Sequence, residues 1–318
     1  MANAAAAAQR VWSTLRESVG RAVVGAQEPL RLLSAALLVN GHVLVEDVPG
    51  VGKTLLAKAF ARSLGLSFAR VQGTPDLLPS DVTGSSVLDG ADFRFVPGPI
   101  FNNVVLFDEI NRATPRTQSA LLEAMQERQV SVDGKTRELP RPFVVLATQN
   151  PIELEGTFAL PEAQLDRFLV RVELGYLAES DERTMLRRLR GSDDLLEEIQ
   201  PVVTAEALAR LATAVRGVLV SDDVETYLLS VIRSTREHAD VRLGASPRSA
   251  VALYRVSQAW AALDGRDFVL PDDVRRLVRP VLEHRIVLDL DRELRGATRE
   301  QVLSDVLDQT AVPLANTA

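Results

Sequence analysis

Two apolar periodicities alternate along the first 175 residues of the chain. Unbroken apolar runs are typical of strands buried on both faces of a parallel sheet. Together with two shorter segments they predict five strands. Four lie at residues 42–46, 67–71, 103–109 and 143–150, and residues 165–170 end a short helix and enter the last strand. Helix-spaced apolar residues predict two helices in residues 11–40 and one each in residues 55–62 and 113–128. Strands alternating with helices indicate an α/β fold with a five-stranded parallel sheet flanked by helices.

Two β-hairpins interrupt this alternation. Residues 86–95 and 130–137 each carry an Asp-Gly pair between strand-like segments, which is a strong hairpin signal. An irregular loop containing Pro75, Pro79 and Gly84 precedes the first hairpin. That hairpin stands where an α/β domain would normally carry a helix.

From residue 180 onward the pattern is helical, with no further strong strand. Helix starts are predicted from capping residues at Ser180, Thr204, Ser221, Ser246 and Thr298. A length of 318 residues suits two domains. We therefore predict an α/β domain in residues 1–175 and an all-α domain in residues 176–318.

A glycine-rich segment joins the first strand to the following helix. Gly50 and Gly52 allow close approach of an anion, and the amides at the helix start point toward it. Lys53 would reach the β- and γ-phosphates of a nucleotide, and Thr54 would offer its hydroxyl to Mg²⁺. The predicted nucleotide-binding residues here are Pro49, Gly50, Val51, Gly52, Lys53, Thr54 and Leu55.

The segment departs from the usual phosphate-binding pattern at one position. Asp47 stands five residues before Gly52, where the pattern has glycine. We expect this position to be remote from the phosphates and to leave binding intact. The alternative interpretation is a glycine-rich turn that binds no ligand.

An acidic pair ends the strand at residues 103–109. Parallel α/β sheets bind ligands at the carboxyl ends of their strands, where Asp108 and Glu109 lie. Asp108 would hold Mg²⁺, and Glu109 would orient and deprotonate the attacking water. The alternative is a solvated strand end that happens to carry two acids.

Two further residues are candidates for contact with the γ-phosphate. Asn150 ends the next strand and can hydrogen-bond the water or phosphate, or it is only a turn residue before Pro151. Arg248 lies in the first turn of a helix capped by Ser246, where a cation opposes the helix dipole. A bound phosphate would compensate that cost; the alternative is an ordinary surface arginine.

Composition narrows the class of protein. The net charge of −7 disfavours a protein that mainly grips nucleic acid, and the absence of cysteine excludes disulfides and thiolate metal sites. No apolar run approaches the ~18 residues of a membrane span. We therefore expect a cytoplasmic protein without a membrane span.

The combined motifs resemble the AAA+ ATPases, and within them the MoxR family. The resemblance rests on the segments VEDVPGVGKT, TPDLLPSDVTG, PGPIFNNVVLFDEINRATPRTQSALLEAMQERQVSVDG and ATQNPIELEGTFALPEAQLDRF, and on SPRSA in the helical part. It implies the AAA+ P-loop core with a helical lid, the two hairpins corresponding to the helix-2 insert and the pre-sensor hairpin. ATP and Mg²⁺ are the implied cofactors.

The resemblance also implies residue roles. Lys53 and Thr54 look like Walker A residues, and Asp108 and Glu109 look like Walker B. The further assignments are Asn150 as sensor 1, Arg248 as sensor 2, Arg167 as the arginine finger, and Val24 and Gly25 at the adenine. A finger acting in trans implies a homo-oligomeric ring, expected to be a hexamer, with Arg112 and Arg116 as other candidates for that interface.

The implied function is ATP-driven remodelling or maturation of protein complexes, with metalloenzymes as candidate clients and a von Willebrand factor A-domain protein as a candidate partner. A nucleic-acid motor is the alternative, kept open by Lys135 at a hairpin tip and by the arginine content. The acidic Asp89 and Asp92 of the first hairpin argue against it. A magnesium-chelatase-like motor subunit and a catalytically inactive nucleotide switch are further alternatives.

Overall fold

The computed structural model describes residues 2–90, 92–150, 156–188 and 195–313. Its strands are β1 (Val43–Glu46), β2 (Phe68–Gln72), β3 (Gly84–Asp89), β4 (Asp92–Pro97), β5 (Val104–Asp108), β6 (Gln129–Val132), β7 (Lys135–Glu138), β8 (Val144–Gln149), β9 (Val170–Val172), β10 (Val241–Leu243) and β11 (Val287–Leu288). The helices of the sheet region are α1 (Ala2–Ala22), α2 (Gln27–Leu38), α3 (Lys53–Ser63), α4 (Pro79–Thr83), α5 (Pro115–Glu127) and α6 (Glu162–Leu165). The remaining helices are α7 (Glu179–Arg188), α8 (Ala205–Val215), α9 (Asp222–Glu237), α10 (Pro247–Leu263), α11 (Pro271–Leu282), α12 (Leu290–Leu294) and α13 (Arg299–Gln309).

The predicted five-stranded parallel sheet is confirmed, in the order β2-β5-β8-β1-β9. Within β5, Val104 and Leu106 join the hydrophobic cluster on one face while Val105 and Phe107 join the cluster on the other. This alternation explains the unbroken apolar run, because both faces are covered. Since all five strands run the same way, the segments that follow β1, β5 and β8 meet at one edge.

The two hairpins are confirmed as β3–β4 and β6–β7. Phe95 of β4 makes an edge contact with Phe101, and the guanidinium of Arg137 of β7 lies 3.9 Å from the centre of the Phe95 ring. The Arg137 contact joins the two hairpins, and the Phe101 contact packs the first hairpin against the segment that follows it. At the tip of the first, Leu88 and Phe93 are 67% and 76% exposed. Ala91, in the predicted turn, lies outside the described residues.

The prediction of an irregular loop before the first hairpin is wrong in one respect, because this segment contains α4. Pro79 takes the first helical position, where its missing N–H costs nothing, and the Asp81 carboxylate accepts a hydrogen bond from the Leu78 amide. These local caps allow a helix of only five residues, too short to leave a periodic pattern.

The remaining chain forms the predicted helical lid. Thr204, Ser221, Ser246 and Thr298 cap their helices as predicted. The start at Ser180 is wrong: α7 begins one residue earlier, because the Ala178 carbonyl accepts from the Asp181 and Glu182 amides. The lid also contains a small antiparallel sheet, β10–β11, whose strands of three and two residues are too short for sequence detection.

The lid and the sheet share a core and an ion cluster. Trp260 of α10 lies in the same hydrophobic cluster as Phe60 of α3. Arg171 of β9 bonds to Glu46 at the end of β1 and pairs with Glu283, which follows α11, at 2.7 Å. Within the described ranges, no helix combines the length and apolar character needed to cross a membrane.

Candidate functional site

A cavity of about 430 Å³ opens at the carboxyl edge of the sheet, and we call it the phosphate cavity. Its lining residues are Pro49, Gly50, Gly52, Lys53, Thr54, Leu55, Arg70, Asp108, Glu109 and Asn150. The predicted glycine-rich segment, the acidic pair and Asn150 therefore face one space. Val51 belongs to the same turn but is not among these lining residues.

Backbone conformation explains the glycines of the turn. Gly50 and Gly52 have φ of 86° and 91°, a region that L side chains rarely adopt. The turn they allow ends at Lys53, where α3 begins, so that the free amides and the positive end of the helix dipole lie at the cavity. The Lys53 ammonium donates to the Asp47 and Val48 carbonyls at 3.0 and 3.3 Å.

Thr148 of β8 ties the two acids together. Its hydroxyl donates to Asp108 Oδ1 at 2.6 Å and accepts from the Glu109 amide at 2.8 Å. Asp108 Oδ2 pairs with the Arg70 guanidinium of β2 at 2.7 Å. Both oxygens of Asp108 are therefore held in defined directions, and a cation entering the cavity would compete with Arg70 for one of them.

Glu109 adopts a left-handed backbone conformation, with φ of 56°. Its carboxylate accepts from Gln72 Nε2 at 2.9 Å and from Arg112 Nη1 at 3.2 Å. Gly73 makes this turn possible, because its amide donates to the Asp108 carbonyl at 2.7 Å and a Cβ on it would lie 2.1 Å from the Glu109 carbonyl oxygen. A left-handed non-glycine residue costs of the order of 1–3 kcal/mol, which fits a site where a carboxylate must be aimed.

Three residues of this cavity and its surroundings were missed by sequence reasoning. Arg70 and Gln72 come from β2, which pairs with β5 so that Gln72 lies opposite Asp108. That pairing is a long-range property that the periodicity of β2 does not reveal. Thr148 carried a weaker signal, since it is a polar residue near the end of an apolar strand.

Val24 and Gly25 line a different cavity, of about 580 Å³, between the α1–α2 turn and α7. The side chains of Asp181 and Thr184 also line it. A Cβ on Gly25 would lie 2.6 Å from Leu177 Cδ2, so the turn approaches the start of the lid closely. The predicted adenine-binding residues and the predicted phosphate-binding residues thus line separate cavities.

Arg167 and Arg248 line a third cavity, of about 300 Å³, which we call the basic cleft. Its charged lining residues are Arg128, Asp166, Arg167, Arg248, Arg255 and Arg285. Arg248 pairs with Asp166 at 3.7 Å. Among the described residues, the linings of the basic cleft and the phosphate cavity share no member. Arg167 and Arg248 therefore line a different cavity from the Lys53 of their own chain.

Buried groups of the lid hold the segment that carries Arg167. Arg285 Nη2 donates to the Phe168 carbonyl at 2.6 Å, and its Nε pairs with Asp166 at 3.5 Å. Burial lowers the pKa of Arg285 to about 10, so it stays charged at neutral pH. His42, also in the cleft, has its pKa lowered to about 4 by burial and is neutral there.

Comparisons with known proteins agree with this architecture. The family model described as "ATPase family associated with various cellular activities (AAA)" matches residues 42–170, and the AAA lid domain model matches residues 233–306. YeaC of Bacillus subtilis is 45% identical over 95% of both chains. Chaperone MoxR1 of Mycobacterium tuberculosis is 39% identical over 94% of this chain and 81% of its own.

A solved structure from Cytophaga hutchinsonii superposes with a TM-score of 0.91, at 35% identity, over 98% of each chain. The sheet, the lid and the sequence similarity thus agree along nearly the whole length of the protein. The chain belongs to the MoxR family of AAA+ ATPases.

Proposed function

We propose that this ATPase binds ATP with Mg²⁺ in the phosphate cavity and uses hydrolysis to remodel protein complexes. The observation that carries the proposal is the meeting of Lys53, Asp108 and Glu109 in one cavity. Phosphoryl transfer depends mostly on positioning and on charge stabilisation, and these three groups supply a phosphate-binding cation, a metal-binding acid and a base.

Thr54 and Asp108 fit Mg²⁺ by the chemistry of their donors. A hydroxyl and a carboxylate are hard oxygen ligands, which Mg²⁺ prefers together with phosphate oxygens and water. The ion would neutralise charge on the phosphates. The Arg70 guanidinium would exchange its partner from Asp108 to a phosphate oxygen, since both are anions that arginine can bind.

Glu109 accepts the proton of the attacking water in this proposal. Gln72 and Arg112 donate to its carboxylate and so aim it, while Asn150 lies on the same cavity to hydrogen-bond the water or the γ-phosphate. An aligned base of this kind contributes about 10²–10⁴-fold to a rate.

Arg167 and Arg248 act on a neighbouring subunit's nucleotide. They line the basic cleft and not the phosphate cavity of their own chain. A head-to-tail contact would bring the cleft of one subunit to the cavity of the next. Such contacts form a ring when the rotation between subunits closes, and we propose a hexamer. Val24 and Gly25 would border the adenine, with α7 of the lid on the other side.

The first hairpin supports the proposal that the clients of this ATPase are proteins. Leu88 and Phe93 are opposite each other in the β3–β4 register and project exposed apolar surface from its tip. Exposed apolar groups of this size commonly mark contacts with other proteins. The name of the relative Chaperone MoxR1 points the same way. Metalloenzymes and a von Willebrand factor A-domain protein are the candidate client class and partner.

Client capture tests the proposal. The Glu109→Gln protein, incubated with ATP in a lysate of the source cells, should retain specific proteins and release them when the nucleotide is removed. The same variant carrying Lys53→Ala should retain none, and a Leu88→Ser, Phe93→Ser pair should retain less. Equal capture by all of these would contradict a nucleotide-driven client cycle.

A nucleic-acid motor is the alternative. Asp89 and Asp92 flank the tip of the first hairpin. Asp89 pairs with Arg94 at 3.0 Å, and Asp92 would repel phosphates there. Filter binding to single- and double-stranded DNA at low salt separates the two functions. Tight binding that weakens steeply with salt would favour the motor.

A further inference from the structure

Asp47 occupies the position at which the phosphate-binding pattern usually has glycine, and its carboxylate is almost fully enclosed. The residue is 7% exposed. Oδ2 accepts hydrogen bonds from the Leu174 and Gly175 amides at 2.6 and 2.8 Å, and Oδ1 accepts from the Val48 amide at 2.9 Å. A carboxylate held by three backbone donors is strongly bound, because each hydrogen bond is charge-assisted.

The backbone of Asp47 contacts the phosphate-binding machinery. Its carbonyl accepts from the Lys53 ammonium at 3.0 Å. Its amide donates to the carbonyl of Gln149, the residue that precedes Asn150, at 3.3 Å. One residue therefore touches the lysine of the phosphate cavity, the end of the strand that precedes Asn150, and residues 174–175.

Residues 174–175 belong to the connection between the sheet and the lid. β9 ends at Val172 and α7 begins at Glu179, and Gly175 has φ of 69° within this turn. Arg171 fixes the sheet side of the connection through Glu46 and Glu283. Asp47 holds the part that lies beyond this ion cluster, next to Leu177, which contacts the α1–α2 turn at Gly25.

We propose that Asp47 is a positioning residue that couples the phosphate loop, residues 48–54, to the orientation of the lid. This coupling rests on the nucleotide site proposed above. Nucleotide phosphates compete with the Asp47 and Val48 carbonyls for the three N–H groups of Lys53. When Lys53 turns to the phosphate, the backbone at residues 47–48 loses that cation. The Asp47 carboxylate transmits the resulting shift to the Leu174 and Gly175 amides.

Glycine at position 47 would keep the phosphate loop but remove this link, since it has no side-chain acceptor. The usual pattern has glycine at position 47, whereas the proposed coupling needs a side-chain acceptor there, so one residue cannot meet both requirements. Asp47→Gly restores the pattern and Asp47→Ala removes the carboxylate while keeping Cβ. Asp47→Asn keeps one oxygen that can accept from the two connection amides.

The absence of native cysteine allows the lid position to be measured directly. Glu123→Cys on α5 and Glu237→Cys on α9 replace two exposed residues and can carry a donor and an acceptor fluorophore. Mg²⁺ with ADP and Mg²⁺ with ATPγS serve as the probes. We expect the energy transfer of the otherwise unmodified chain to differ between the two nucleotides.

Asp47→Gly and Asp47→Ala should bind both nucleotides within about threefold of the parent affinity, yet show less than roughly a third of its change in energy transfer. Asp47→Asn should keep at least half of the change. A full change in the Gly or Ala variant, or no change in the parent despite binding, would overturn the coupling. If Asp47→Ala does not fold, Asp47→Gly decides. Failure of the parent to bind either nucleotide would instead overturn the proposed nucleotide site.

Discussion

The phosphate cavity and the basic cleft differ in how their charges balance. Lys53 and Arg70 face Asp108 and Glu109 in the first, so the chain supplies as many cations as anions. In the cleft, five arginines face Asp166 among the described lining residues, and His42 is neutral there. The charges of the lining residues therefore balance in the cavity, whereas the cleft carries excess positive charge that can stabilise a bound anion.

This difference in charge suits the phosphate cavity and the basic cleft to different roles. A balanced cavity can hold a nucleotide with its metal and organise the base. An unbalanced cleft can stabilise the negative charge of a bound anion, and under the proposed action on a neighbouring subunit hydrolysis would depend on assembly. Variants on the two sides should therefore fail in different ways.

Arg167→Ala should lower the rate of ATP hydrolysis about 10³-fold and leave nucleotide affinity nearly unchanged, because an arginine finger acts on the transition-state charge. Steady-state turnover and equilibrium titration with a fluorescent ADP analogue measure the two quantities. Arg233→Ala, on an exposed face of α9, is the matched control. A loss of affinity equal to the loss of rate would move Arg167 into the binding site of its own chain.

Glu109→Gln should lower turnover about 10²-fold or more while ATP binding is kept, since the amide cannot accept the proton. Glu123→Gln on α5 is the control, being an exposed glutamate outside the cavity. Near-normal hydrolysis by the Glu109 variant would remove this residue from the role of base.

A mixture of these two inactive proteins tests whether the basic cleft of one subunit acts at the phosphate cavity of the next. In a ring with random order, roughly a quarter of the contacts would join an intact cavity to an intact cleft, if each contact is head-to-tail. Equimolar mixing of Arg167→Ala and Glu109→Gln subunits should therefore restore turnover well above the sum of the two alone. No recovery after subunit exchange, with mixed assembly verified by differently tagged subunits, would contradict action in trans.

Arg248→Ala should have a smaller effect, about tenfold on turnover. Its side chain is half exposed and its pairing with Asp166 is long, at 3.7 Å, so it is less firmly placed than the segment held by Arg285. The Arg248→Lys variant should recover part of the activity, because it keeps the charge but loses the fork geometry. An effect as large as that of Arg167→Ala would show that the two arginines act as one unit.

The stability of the folded protein, rather than its turnover, should respond to pH through the cleft histidine. The pKa of His42 is lowered to about 4 when folded, against about 6.5 unfolded, so below pH 6.5 the unfolded chain binds a proton that the folded chain does not. Stability should fall between pH 6.5 and 4 by up to about 1.4 kcal/mol per pH unit from this group. Urea unfolding at pH 7, 6 and 5 should show a shallower decline for His42→Gln. Equal declines would indicate that His42 charges within the cleft.

Local patterns were enough to predict the strands and the acidic pair, because each depends on residues close in sequence. Arg70 and Gln72 were not predicted to belong to the site, because only the pairing of β2 with β5 brings them to Asp108. The sequence also suggested that Arg248 contacts the phosphate held by Lys53; in the structure the two residues line different cavities, and that role stays a prediction. Asp47 was predicted only to be tolerated, and its bonds to Leu174 and Gly175 depend on a contact across 127 residues of chain.

Gly73 illustrates how activity constrains a residue that has no reactive group. Its main chain lies against the Glu109 peptide so closely that even a methyl group would collide with the carbonyl oxygen. The proposed activity therefore depends on a position whose contribution is that it has no side chain. During evolutionary drift, residue 73 should be held as tightly as the acids themselves, and a saturation-mutagenesis map should mark it intolerant of every replacement.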